Sequence, residues 1–445
     1  MAKVFSLLIV WLAVLFLFSS SCATTKRQYQ RLGKSIAQDM RRSPVFNRSL
    51  TGFVLLDPET GTLLANENGD HYFTPASNTK IFTLATCLAL LGDSLPGMEC
   101  RIRDSVLTFR GVGDPTFLHP EFQAWQPVYN MLRAWDGPLF YDPYHYEEAP
   151  FGPGWAWDDM PANYSAPRSP FPYYGNTLRI NATPEGTTTA PLPIKPFRIP
   201  ERQAAQIIPG DNPFFLSEDG VLYTRMDSFV SGFEEEVAFP RSPNALSWDL
   251  PFDILPRTAS LAGPQSGAWS VMYSVPVDTV YRRMMHQSDN FIAEQLLLVC
   301  AATKFGVLRQ DTMIDWVLDS LLSDLPQRPR WVDGSGLSRY NLFSPIDVAI
   351  VLQKLWKEQS HDRLLDLFPA GGRDGTLENW YRGTGGQPYV YAKSGSMSGV
   401  QCLSGYLIKR NGKVLIFSFM HNNFVGGGSL WKQEMERILQ GLHRN

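Results

Sequence analysis

Ser77-Asn78-Thr79-Lys80-Ile81-Phe82-Thr83-Leu84-Ala85-Thr86-Cys87-Leu88-Ala89-Leu90-Leu91 puts a hydroxyl and an amine three residues apart at the head of an almost wholly apolar segment. The spacing of Ile81, Phe82, Leu84, Ala85, Leu88 and Leu91 predicts a buried helix over 78–91, stopped by Gly92. Residues three apart share a helical face, about 5–6 Å apart at Cβ, so the Lys80 amine reaches the Ser77 hydroxyl. Burying an ammonium costs free energy, which lowers its pKa from ~10.4 toward the range of a useful base. A serine at a helix start also has its backbone N–H free to face negative charge. The spacing alone is a weak signal. Composition gives about one or two Ser-x-x-Lys matches by chance, and Ser429-Leu430-Trp431-Lys432 on a C-terminal amphipathic segment is one.

Two later strings raise its value. Ser288-Asp289-Asn290 opens a second apolar helical stretch, and Lys393-Ser394-Gly395-Ser396 follows it. In that order they supply a nucleophile, a base, a proton relay and a carboxylate anchor, with no histidine, metal or organic cofactor required. Lys393 is the cation expected to depress Lys80 further. Asn290 also suits capping the helix that follows it.

A chain of 445 residues is too long for one core and implies two or three structural units. A net charge of -3 leaves no basic footprint, which argues against nucleic acid as a partner. Lys3 and the apolar run Val4–Phe18, followed by Ser19-Ser20-Ser21-Cys22, read as an export signal over 1–22. That run is shorter than the ~20 residues a membrane-spanning helix needs. The small residues before Cys22 resemble a lipobox, implying a diacylglyceryl group on Cys22, an exported and periplasmic location, and membrane contact through that anchor only. An ordinary secretory signal with an incidental cysteine is the other reading. Of the remaining cysteines, Cys87 and Cys300 sit in apolar helical stretches and are expected as buried thiols, while pairing in general stays open.

Gly52–Leu56 and Thr62–Ala65 around the turn Asp57-Pro58-Glu59-Thr60-Gly61, with Val400–Ile408 and Val414–Met420 around Asn411-Gly412, predict two hairpins at opposite ends of the chain. Leu430, Trp431, Met435, Ile438, Leu439 and Leu442 predict a closing amphipathic helix. Residues 26–42 suit a surface helix. The fold class is therefore α+β: an antiparallel sheet flanked by helices, built from 23–92 and 276–445. Residues 93–275, rich in Pro, Gly, Tyr and Trp, read as a large β-rich insertion.

Further segments carry a resemblance over nearly the whole mature chain. Gly111-Val112-Gly113-Asp114-Pro115-Thr116, Pro153-Gly154-Trp155-Ala156-Trp157-Asp158-Asp159, Asp289–Glu294, Asp333-Gly334-Ser335-Gly336-Leu337-Ser338-Arg339 and Gly372-Arg373-Asp374-Gly375-Thr376-Leu377 accompany the three boxes in order. The chain resembles the D-alanyl-D-alanine carboxypeptidase/endopeptidase type of low-molecular-mass class C penicillin-binding protein, serine peptidase family S13. That resemblance implies a β-lactamase/transpeptidase-like domain interrupted after the first box, with peptidoglycan stem peptides and β-lactams as partners. It implies that Ser77 attacks the carbonyl between two D-Ala residues, with Lys80 taking its proton. Ser288 then relays a proton to the departing D-Ala, while Asn290 holds the stem backbone. Lys393, Ser394, Gly395 and Ser396 would grip the terminal carboxylate, and the N–H groups of Ser77 and Ser396 would form the oxyanion hole. Asp142 and Arg339 resemble positions that recognise the diamino acid of the stem, although Asp142 equally fits a loop turn. The Trp-rich box is expected to pack inside the insertion. Two alternatives stand beside this one: a serine β-lactamase or esterase of the same fold, which needs a poised deacylating base, and a catalytically silent peptidoglycan-binding lipoprotein.

Overall fold

The computed structural model describes residues 33–444 apart from 184–185, 191–195, 209–213, 218–220, 226–232, 239–258, 264 and 266. The leader 1–22 and Cys22 lie outside the described residues.

Strands from both chain ends share one sheet. β1 (Leu50–Leu56), β2 (Leu63–Glu67), β3 (Val390–Met397), β4 (Val400–Ile408) and β5 (Val414–Asn422) pair antiparallel in the spatial order β3-β4-β5-β1-β2. Both predicted hairpins are present. β4 is buried from Val400 to Leu407 because both its faces are covered. Its side chains alternate: Cys402 and Tyr406 enter one core, Leu403 and Leu407 the other. In β1, Val54 and Leu56 likewise oppose Phe53 and Leu55.

Helices α1 (Lys80–Leu90), α2 (Val277–His286), α3 (Asn290–Phe305) and α4 (Pro345–Glu358) fill the first core. The second core is closed by α5 (Ser429–Arg444), which buries Trp431, Met435, Ile438, Leu439 and Leu442. Leu430, placed on that stripe by sequence spacing, turns outward and is 45% exposed. The helical residues 33–42 add Ile36 and Met40 to the same core, so this stretch is anchored as well as exposed. Cys87 on α1 and Cys300 on α3 are buried free thiols with sulfurs 3.7 Å apart, and Cys100 and Cys402 are also free. No helix among the described residues is long and apolar enough to cross a membrane.

Between α1 and α2 the chain leaves this lobe and returns through neighbouring strands, because Ser94–Arg103 and Ser270–Pro276 pair antiparallel. They belong to a second five-stranded sheet with Val106–Gly111, Leu139–Tyr141 and Ser260–Leu261. Its own core includes Met98, Leu107, Phe109, Tyr141 and Phe171. Two three-stranded sheets follow, one carrying Thr177–Thr183 and Phe233–Ala238. The insertion also holds two short helices, Pro127–Ala134 and Glu201–Ile207, where the sequence suggested β-like runs alone.

Phe419 on β5 is fully buried, with its ring centroid 4.3 Å from Phe53 and 5.9 Å from His421. Phe419→Ala is expected to lower stability by about 3–5 kcal/mol, read from the urea midpoint of tryptophan fluorescence. A loss below about 1 kcal/mol would mean that this core contributes little to holding the sheet.

Candidate active site

The Ser77 turn is a 3-10 helix, Ala76–Thr79, that runs directly into α1. Ala76 at its head has φ +46°, a left-handed conformation that costs free energy in a residue with a Cβ. Surrounding bonds hold it there. Thr79 Oγ1 donates to Ala76 O at 2.9 Å, and Asn78 Nδ2 donates to Ser404 Oγ at 2.7 Å, pinning the turn to β4. β3 passes so close that a Cβ on Gly395 would lie 2.6 Å from Pro75 O and 3.1 Å from Ser77 N. Glycine in the third box is thus a packing requirement as well as a motif position.

Lys80 is fully buried, whereas Ser77 is only half-buried. Its Nζ donates to Ser77 Oγ at 3.0 Å, Asn290 Oδ1 at 2.6 Å and Ser335 O at 2.8 Å. Asp289, rather than Asn290, caps α3: its Oδ1 accepts from Ile292 N at 3.0 Å. That releases the Asn290 side chain, whose Nδ2 donates to Tyr164 O in the insertion at 2.9 Å. Ser288 has φ +59°, a second strained non-glycine position. Lys393 Nζ donates to Ser288 Oγ and to Ser394 O, both at 2.9 Å. Lys393 shares its strand face with Tyr391, which packs on the helical core, so period two aims it at α1. The structure therefore brings Ser77, Lys80 and Asn290 into one hydrogen-bonded group and Lys393 with Ser288 into another. The Ser288–Asn290 turn joins the two.

Two buried amines this close do not titrate independently. Burial pushes Lys80 down to about 8, while Asp333, Glu294 and Asp289 pull it back up. Lys393 falls well below the ordinary lysine range, first through burial and then through the charge on Lys80. Burial is the first cause of both shifts, and repulsion between the two ammonium charges acts on the pair as a whole. Lys80 holds its proton more readily because carboxylates lie near it, and its three acceptors match the three protons of an ammonium.

Residues without an assigned role in the sequence build the support. Glu294 Oε1 accepts from Ser335 N at 2.7 Å, fixing the carbonyl that Lys80 meets. Asp333 Oδ1 accepts from Gly336 N at 2.8 Å, and its Oδ2 accepts from Trp155 Nε1 at 2.9 Å. That second bond corrects the reading of the Trp-rich box: Trp155 bridges to the catalytic lobe, and Trp157 is 68% exposed. The segments Asp289–Glu294 and Asp333–Arg339 were visible in sequence as motif matches, but their long-range partners were not. A cleft of about 300 Å³ opens beside Ser288 and Asn290, with His119, Glu121, Tyr164 and Arg283 among its walls.

In the third box, Ser394 Oγ donates to Thr376 Oγ1 at 2.7 Å and Ser396 Oγ to Gln401 Oε1 at 3.0 Å. Arg339 is exposed, and its Nη1 reaches Ser398 O at 3.4 Å, so it stands on the rim. Asp142 is not brought to the cluster. It is buried in the insertion, and its Oδ1 accepts from Tyr144 N at 3.0 Å in the turn that follows Leu139–Tyr141. The turn chemistry of aspartate accounts for it there. A carboxylate that does connect to the cluster is Asp159, whose Oδ1 accepts from Tyr164 Oη at 2.7 Å. Among the described residues no group of three His, Cys, Asp or Glu gathers as metal ligands would.

Comparison with known proteins fits this geometry. A family model, D-Ala-D-Ala carboxypeptidase 3 (S13) family, matches residues 32–206 and 260–442. A D-alanyl-D-alanine carboxypeptidase of Actinomadura sp. (strain R39) is 26% identical over 88% of this chain and 81% of its own length. D-alanyl-D-alanine carboxypeptidase DacB of Haemophilus influenzae is 24% identical over 88% of this chain and 89% of its own. The crystal structure of penicillin binding protein 4 (dacB) from Haemophilus influenzae superposes with a TM-score of 0.73 at 21% identity, covering 92% of this chain and 99% of that one, which shows a shared fold. The two matched blocks take in both halves of the discontinuous lobe and much of the insertion, so the chain is an enzyme of the D-Ala-D-Ala carboxypeptidase 3 (S13) family.

Proposed function

We propose that this chain removes the terminal D-Ala of peptidoglycan stem peptides through an acyl-enzyme on Ser77, and that cross-links between stems are also cleaved. The observation that carries this reading is the Lys80 Nζ to Ser77 Oγ bond of 3.0 Å, made by a fully buried amine beside a half-exposed hydroxyl. In its neutral form Lys80 accepts the Ser77 proton as Oγ attacks the carbonyl carbon. The C–N bond breaks, and Ser288, fed by Lys393, delivers a proton to the leaving amine. Asn290 aligns the stem backbone while keeping Lys80 in place. The N–H groups of Ser77 and Ser396 face the developing oxyanion. A substrate carboxylate arriving near Lys393 favours charge on that amine, and the recharged Lys393 then drives Lys80 toward its neutral form. Substrate binding in this way prepares the base.

Slow release of β-lactam adducts follows from the same geometry. Glu294 and Asp333 are the buried carboxylates nearest Lys80 in the supporting shell. Their oxygens are committed to Ser335 N, Gln310 Nε2, Gly336 N, Ser338 N, Asn341 Nδ2 and Trp155 Nε1. Neither is poised to activate a water on the ester, which favours the peptidase over a β-lactamase. The reading also places the chain outside the cytoplasm, tethered by a diacylglyceryl group on Cys22, where its polymeric substrate lies.

Ser77→Ala is expected to abolish the covalent adduct with labelled penicillin and to lower D-Ala release by about 10⁶. In the unsubstituted enzyme the adduct should outlast the assay. Adduct forming in the variant, located by peptide mapping, would falsify the assignment. Digestion of purified muropeptides, followed by mass spectrometry, separates loss of one D-Ala from loss of cross-linked dimers.

Because the base form of Lys80 lies above its pKa, kcat/KM should rise with pH through a midpoint near 8. A profile that is flat from about pH 6 to 9 would remove Lys80 as the group that titrates.

A further inference from the structure

Thr376 belongs to neither the three boxes nor the supporting carboxylates, yet it touches the third box directly. The segment before it covers the outer edge of β3: Gly371 N donates to Val390 O at 2.9 Å and Ala392 N to Pro369 O at 3.0 Å. Ala370 also bridges Tyr391. That cover reaches Ala392, and the contact from Thr376 to Ser394 comes two residues further along β3. Its loop is fixed from the other side. Asp374 Oδ1 accepts from Ala370 N at 2.9 Å and lies 3.3 Å from Nδ1 of His286, the last residue of α2. Thr376 is therefore held between β3 and the helix that leads into Ser288.

The direction of the hydroxyl chain matters. Ser394 spends its proton on Thr376 Oγ1, and Ser396 spends its own on Gln401 Oε1. Lys393 points its protons at Ser288 Oγ and Ser394 O. The Thr376 hydroxyl ends the chain, and among the described residues its proton has no acceptor. Thr376 is half-buried and meets the third box at Ser394. A chain of hydroxyls that terminates in a free O–H favours an anion at its end, since each donor polarises the next.

We infer that Thr376 is a specificity-determining residue that donates to the terminal carboxylate of the substrate, with Ser394 acting through it. The inference rests on the reading of Ser77 and Lys393 above and adds a residue to it. It gives the Ser394 hydroxyl the part of positioning Thr376.

The test compares two peptides, acyl-D-Ala-D-Ala with a free C-terminus and the same peptide as its C-terminal amide, on the full enzyme and on Thr376→Val and Thr376→Ser. The expected result for Thr376→Val is a KM for the free acid raised about tenfold with kcat within about twofold, the value of one charge-assisted hydrogen bond. The amide should be processed as in the unsubstituted enzyme, and Thr376→Ser should restore the KM. Equal losses on both peptides, or no loss on either, would overturn the inference, because a packing role does not distinguish an anion from an amide. Peptide mapping of penicillin-labelled Ser77 in the unsubstituted enzyme runs in parallel. Absence of label there is failure of the underlying mechanism, whereas intact label with undiscriminating Thr376→Val kinetics is failure of this inference alone.

Discussion

Burial of the Lys80 amine is the constraint around which the site is built. An ammonium removed from water in an apolar helix costs several kcal/mol unless its protons are met. Here they are met by Ser77 Oγ, Asn290 Oδ1 and Ser335 O, one from each of three separate stretches of chain. The same three bonds define the site. Because Lys80 needs all of them, α1, the Ser288–Asn290 turn and the 333–336 loop are held at one point. The desolvation that makes the group costly also brings it to about 8, where proton exchange with a hydroxyl is feasible.

Backbone strain collects at the same place. Ala76 and Ser288 both sit at positive φ, immediately before Ser77 in one case and at the hydroxyl that Lys393 meets in the other. Each conformation costs of the order of 1–3 kcal/mol and persists only where neighbours over-determine it. For Ala76 the neighbour is Gly336: a Cβ there would lie 1.9 Å from Ala76 O. The invasive approach of the 333–336 loop thus requires glycine, and that approach is what carries Ser335 O to Lys80.

Local patterns in the chain exposed the sheet, the buried helix and the three boxes, because those depend on periods of two and 3.6 and on short spacings. The carboxylates that raise Lys80 were not legible as its partners, since they lie more than 200 residues away in sequence, Glu294 among them. Asp142 carried two readings, turn and ligand, because an aspartate after a strand is the same letter in both; in the structure its Oδ1 accepts from Tyr144 N, the bond of a turn. Capping, the common task of its residue type, was open to Asn290 beside its expected role on the stem backbone, yet the preceding Asp289 performs it. Trp155 looked like core because large aromatics usually are, and its indole N–H instead seeks the buried Asp333.

These partners tie the insertion to the groups around Lys80. Arg168, fully inside the protein, lies 3.6 Å from Glu294 and 3.3 Å from Glu148. Burial, and after it the charge of Asp333, raise the Glu294 pKa, and the Arg168 guanidinium opposes that rise. Glu294 Oε1 accepts from Ser335 N, and negative charge on this carboxyl raises the pKa of Lys80. A charge on the insertion is thereby felt at the base through one buried carboxylate. A second link runs through Tyr164, whose carbonyl orients Asn290 while its hydroxyl meets Asp159. Shortening the insertion to leave a minimal catalytic lobe would remove Arg168 and Tyr164 together. Glu294 would then favour its protonated form, Lys80 would lose a stabilising negative charge, and Asn290 would lose one of the two partners that fix its amide. The insertion and the nucleophile are one electrostatic unit, although more than 80 residues separate Ser77 from Tyr164 and Arg168 in the chain.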